Sequence, residues 1–465
     1  MGLSTILICV AFASFAVSYG WGMRGTVIGG EKGAMLPGLY LGLILAWFAG
    51  GGIRENFMIP AAAGLMGMTF GGTEPYGDTI HFVLCREDKE HYNPVRGYTG
   101  LAVKGGLWFG VAGGFIALSM SAMSGKYSAA GLVVFCLLIP VIGIAGYRIF
   151  NWPYNKESGK FPAIYFCYES REEWGSNLAI MLTMLGIGIF RNDNLLTSLI
   201  SGGFAFGFIG WLVAIKFYDL CIHPMKNGRF IFGDKIDRKR IDGWKVMEFT
   251  LGAIGGMGVS LVFCLSGKEI NAINEAIALN GVFNPIAKAE PFMPFVILAS
   301  AAAVIVINVY EYLVEKKGGS YNSFVMDLIE RPFFNVVPMI FVLLGSNGAA
   351  RLMTVFMLIF VVSVKSIADR FPKGKSIVFP AAVFVSATVL TLVLDFVKGG
   401  YSAFDIIFAG GLPYIAAELF FRYYRGRKVE KKSMKELYAN GSFPVVMGYM
   451  IIQVAIICVI SAFIF

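Results

Sequence analysis

Charge is scarce in this sequence. Only 15% of its 465 residues are Asp, Glu, Lys or Arg, while 57% are hydrophobic. A soluble domain carries roughly a quarter charged residues to keep its surface wetted, so a soluble fold is excluded for most of the chain. Histidine is scarcer, with three positions: His81, His91 and His223. Neither a His-Glu-x-x-His metallopeptidase signature nor a Gly-x-Ser-x-Gly nucleophile elbow occurs. No Gly-x4-Gly-Lys-Ser/Thr loop is present to cradle a nucleotide phosphate. The seven cysteines are scattered and odd in number, so no disulfide framework is implied. His81 and Cys85 stand at i, i+4 with Asp78 and His91 near them, but this matches no zinc spacing. No metal and no cofactor are expected.

What the sequence has is apolar runs of about twenty residues, the length of a bilayer-spanning helix. They fall at 3–22, 34–51, 57–83 (broken), 97–120, 129–147, 177–190, 195–217, 244–266, 291–313, 333–346, 349–364, 376–397, 401–421 and 443–464. Backbone in hydrocarbon must satisfy its own hydrogen bonds, and runs this long exclude barrel strands. The expected fold is all-α: a polytopic integral membrane bundle of about 14 transmembrane helices with a broken third span. The stretch Leu3–Tyr19 has no basic leader and no small-residue cleavage site, and is expected to be the first span.

The net charge of +9 is unevenly placed. Connectors 24–33, 84–96, 148–176, 218–243, 314–333, 365–375 and 422–442 hold 29 of the 39 Lys and Arg, and the alternate connectors hold seven. The positive-inside rule makes the rich side cytoplasmic, which puts both termini outside a cell (inner) membrane. The basic balance thus points to a lipid bilayer as partner and not to nucleic acid. The chain also divides by composition. Residues 1–270 hold all seven tryptophans and 44 of the 57 glycines. Glycine lets membrane helices approach closely or break. A site-bearing portion over 1–290 and a supporting portion over 291–465 are expected. Gly110, Gly113 and Gly114 are echoed by Gly252, Gly255 and Gly256, too little to establish a repeat.

The segment from Gly71 to His81 concentrates chemistry. One proline and three glycines interrupt an apolar run there, and Glu74, Tyr76, Asp78 and His81 project from the break. Intramembrane ionisable groups are functional candidates by default, because irregular polar backbone is tolerated there only where it lines a wet cavity. The bland account is a solvated loop entrance with exposed acids. A second segment, Gly20 to Gly33, holds six glycines with Trp21, Arg24 and Glu31. Arg24 suits a bidentate grip on a carboxylate, whereas Glu31 is equally explained as an acid at a helix N-terminus. Lys104 lies two turns inside the fourth span and needs an acid partner, with Glu74, Asp78 or Glu31 the nearest by topology. Glu248, after Trp244 and Lys245, reads more simply as interfacial. Glu172 and Glu173 belong by composition to a solvated loop, although the aromatic connector 148–176 around them is suited to cover a site.

Two functions follow as expectations. In the first, the chain is a membrane-embedded hydrolase acting on a glycosidic bond of a small polar or carbohydrate substrate. Glu74 and Asp78 would be the catalytic carboxylates, with Glu31 the substitute for either. Arg24, Trp21, Tyr76, His81, Lys104 and Glu248 would bind substrate, since sugar faces stack on aromatic rings while charged groups take hydroxyls. In the second, the chain is a secondary transporter of a polar or anionic, sugar-like solute, as a broken helix and an intramembrane lysine–acid set suggest. The polar residues cluster toward one side, which favours the hydrolase.

Overall fold

A computed structural model describes residues 2–24, 34–72, 74–153, 159–168, 172–224, 228, 243–293, some positions of 296–317, and 336–357. Expected spans beyond 357, and residues 25–33 of the turn with Glu31, lie outside the described residues. Among those described the chain is helical, with no strand. Its helices are α1 (Leu3–Arg24), α2 (Met35–Ala49), α3 (Gly51–Glu55), α4 (Met58–Gly72), α5 (Gly77–Leu84), α6 (Pro94–Met123) and α7 (Ala129–Phe150). They continue with α8 (Trp174–Phe190), α9 (Asn194–Ile222), α10 (Gly243–Leu265), α11 (Gly267–Asn280), α12 (Val337–Leu344) and α13 (Asn347–Val355).

Five of these, α1, α6, α7, α9 and α10, are long and apolar enough to cross a membrane. The outer faces fit that environment. On α7, Val134, Leu137, Val141 and Ile144 recur every three or four residues and are exposed, as are Leu3, Leu7, Phe12 and Phe15 on α1. Stripes this apolar are unfavourable against water but neutral against lipid. The chain is thus built as a helical membrane protein.

Helix α6 is the central post. With 94% of its spanning window buried, it packs against α4, α5, α8 and α9. Asn93 begins it: the Asn93 side chain accepts the Arg96 amide (3.1 Å), and Pro94 takes the first turn, where its missing N–H costs nothing. Glycine sets how closely α9 approaches. A Cβ on Gly207 would sit 2.1 Å from the Gly105 carbonyl oxygen, and one on Gly105 would sit 2.4 Å from that of Gly207. The echoed glycines serve comparable crossings, Gly113 against Leu199 of α9, and Gly252 and Gly256 against Val17 and Ala13 of α1.

The apolar run over 57–83 forms two helices. Helix α4 ends at Gly72 and α5 starts at Gly77, with Pro75 between them. Short α3 and amphipathic α11 fall where sequence spacing predicts only connectors. In α11, Ile270, Ile273 and Ile277 form a buried stripe, with Ile277 against Gly52 of α3.

Candidate functional site

The α4–α5 break aims Glu74 at α6. Glu74 and Lys104 are both fully buried, with Lys104 Nζ 3.8 Å from Glu74 Oε1. Lys104 Nζ also donates to the Pro75 carbonyl, to Thr79 Oγ1 at 3.0 Å and to Cys167 Sγ at 3.1 Å. The break makes this possible, because a continuous helix would have spent the Pro75 carbonyl on its own ladder. The other Glu74 oxygen accepts the Trp108 indole N–H (3.3 Å) and, at 3.5 Å, the Asn177 amide of α8.

Connector 148–176 covers this pair from one end. Glu172 and Glu173, expected in a solvated loop, are buried instead. The backbone explains the difference: Glu172 Oε2 accepts the Phe166 and Cys167 amides at 2.6 and 2.7 Å, which draws the loop inward around the carboxylate. The charges of Glu172 and Glu173 both bear on Glu74, and that of Asp78 bears on Glu172. Burial pushes the Glu172 carboxyl up from its ordinary value, against Lys104 and the two amides. Burial also pushes the Cys167 thiol up to about 12, so at neutral pH the group beside Lys104 is a thiol.

An aromatic column runs from this centre to a second charged one. Trp21 of α1 stacks on Trp108 of α6 (centroids 5.2 Å apart, 15° between planes), and Trp108 meets Trp211 of α9 edge-on at 5.7 Å. Tyr76 touches Trp108, Trp211 and Trp244 at 5.7, 5.3 and 5.4 Å. Its hydroxyl donates to Glu248 Oε1 (2.9 Å), which also accepts the Trp244 N–H (3.0 Å), while Lys245 Nζ donates to Glu248 Oε2 (2.7 Å) and to the Gly22 carbonyl. Glu248 is buried within the protein.

Of the residues singled out from sequence, Glu74, Lys104, Tyr76, Trp21 and Glu248 come together. Asp78 stands half-buried in the first turn of α5. His81 turns to the connector: its ring meets Asp88 Oδ2 and Cys85 Sγ, both at 2.9 Å. Arg24 is described only as the last backbone residue of α1, and Glu31 lies outside the described residues. Sequence reasoning gave Cys167 no role and Glu172 only a solvated loop, and passed over Thr79, Trp108, Trp211 and Asn177. Aromatic density in connector 148–176 was the one signal for the first two.

Glu74 Oε1, Glu172 Oε1 and Trp211 Nε1 are buried without a hydrogen-bond partner. Buried polar atoms are ordinarily satisfied, so a polar molecule reaching any of these atoms would complete its bonding. Two carboxylates, one lysine and several indole faces suit a polyhydroxylated molecule. Among the described residues, no set of three His, Cys, Asp or Glu is placed to hold a metal ion. Searches against family models, curated proteins and solved structures return no match to this chain.

Proposed function

We propose that this chain is a membrane-embedded hydrolase of glycosidic bonds. The observation that carries the reading is the pair of buried carboxylates, Glu74 from the helix break and Glu172 from the covering loop, around Lys104 and beside the Trp21–Trp108–Trp211 cluster. One carboxyl, kept protonated by burial, donates to the leaving oxygen. The other, ionised, attacks the anomeric carbon or activates water. Lys104 balances the charge of whichever acid is ionised, and the indole faces hold the sugar ring. Asp78, first choice as the partner of Glu74 from sequence spacing, becomes a rim residue in this scheme. The finer topology belongs to the same proposal: about 14 spans in a cell inner membrane, the cation-rich connectors cytoplasmic and both termini outside.

Purified protein assayed against a panel of glycosides tests the reading. Turnover is expected, falling about 10²- to 10⁴-fold in Glu74→Gln and in Glu172→Gln, with a smaller loss in Asp78→Asn. A second reading, transport of a polar or anionic solute, draws on the complete enclosure of Glu74 and Lys104, as an occluded site requires. Absence of turnover, together with accumulation of a labelled sugar in proteoliposomes, would replace the first reading by the second.

A further inference from the structure

Away from the buried acids, a cavity of about 400 Å³ opens where α7, α8 and α9 meet the end of α6. Its buried lining is apolar, with Leu118, Leu132, Phe135 and Met184, and its exposed edge carries Ser128 and Arg191 beside Phe190. From Ser128 to Phe135 along α7, and from Arg191 back to Met184 along α8, the slot is seven residues deep. That is about 10 Å of helix rise, against about 15 Å for one leaflet's hydrocarbon.

The mouth is cationic. Asp193 is turned inward: its side chain caps α9 through the Leu196 amide, accepts the Tyr127 hydroxyl (2.8 Å) and lies 3.8 Å from Lys126 Nζ. Arg191 is exposed, and its side chain donates from Nη2 to the Lys126 carbonyl (3.0 Å). Ile189 and Phe190 stand exposed beside it.

We propose that this slot binds one acyl chain of an anionic phospholipid whose phosphate sits at Arg191. Helices α6, α7 and α9, which form three of its walls, are of bilayer-spanning length, so lipid is the apolar molecule at hand. An acyl chain in an apolar slot gains dispersion contacts with its walls, and a cation at the interface adds attraction for an anionic headgroup. Chain and headgroup are therefore read by different residues, and each can be removed separately.

Gly186 lines the slot, and a Cβ there meets nothing within 4 Å, so Gly186→Phe introduces a ring at the slot wall from a position that tolerates a side chain. Native mass spectrometry of the full chain in detergent, with phosphatidylglycerol and phosphatidylcholine of matched chains, reads both effects. The wild type is expected to retain one phosphatidylglycerol about tenfold in preference to phosphatidylcholine. Gly186→Phe is expected to lose retention of both, and Arg191→Gln to keep chain binding but lose the preference. Equal retention by Gly186→Phe and wild type, or equal preference in Arg191→Gln and wild type, overturns the proposal. Should Gly186→Phe fail to fold, the surface substitution Arg191→Gln decides alone.

Discussion

Lys104 and Glu74 are both shielded from bulk solvent. Removing one member of a buried ion pair leaves an uncompensated charge and costs about 3–5 kcal/mol, whereas removing both costs far less. Unfolding in detergent is therefore expected to show strong destabilisation for Lys104→Met, and Lys104→Met combined with Glu74→Gln should recover more than half of the loss. If the two substitutions simply add, the residues do not act as a pair. Glu74, Lys104 and Tyr76 were legible in the sequence because ionisable and polar groups inside an apolar run need a reason. Glu172 and Cys167 were not legible. Their place is decided by a carboxylate gathering two amides of its own loop, a contact with no signature in composition.

Asp88 offers a residue-scale test outside the bundle. A hydrogen bond from His81, with a second from His91, holds its carboxyl down to about 2, below the ordinary value of roughly 3.9. A depressed carboxyl stabilises the 85–93 turn fully above that ordinary value and loses its effect as pH falls toward 2. Amide protection factors in this turn are expected to drop over that interval in the wild type. In Asp88→Asn they should be low at neutral pH and flat below it; a wild-type profile without the drop refutes the assignment.

At the scale of the element, glycine fixes the distance between α6 and α9. Gly207→Ala places a methyl against the Gly105 carbonyl and is expected to destabilise by about 1–3 kcal/mol, as overpacking does. Gly186→Ala, facing open space, should change stability by less than about 0.5 kcal/mol. Thermal unfolding of the two variants side by side checks the contrast, and equal effects would mean that the crossing relaxes freely. The break between α4 and α5 was readable from Pro75 and its glycines, since proline cannot continue a helix ladder. Helices α3 and α11 were missed because each is too short or too polar to register as a bilayer span.

For the whole molecule, charge bias predicts orientation. A reporter fused after Phe465 is expected to be active outside the cytoplasm, and cytoplasmic activity would refute the count of spans. The sequence by itself determined that this is a helical membrane protein. Apolar length and the demand for internal hydrogen bonding leave no other secondary structure in hydrocarbon. It also determined where polar chemistry interrupts the bundle, because unpaired charge is not tolerated there. Only tertiary structure decided which charges meet: Glu74 with Lys104, Glu172 folded over them, and Tyr76 joined to Glu248 across a sequence separation of 172. Pairing depends on helix rotation and on how closely glycines let backbones approach. Both are set by all the neighbours at once and by no single stretch of sequence.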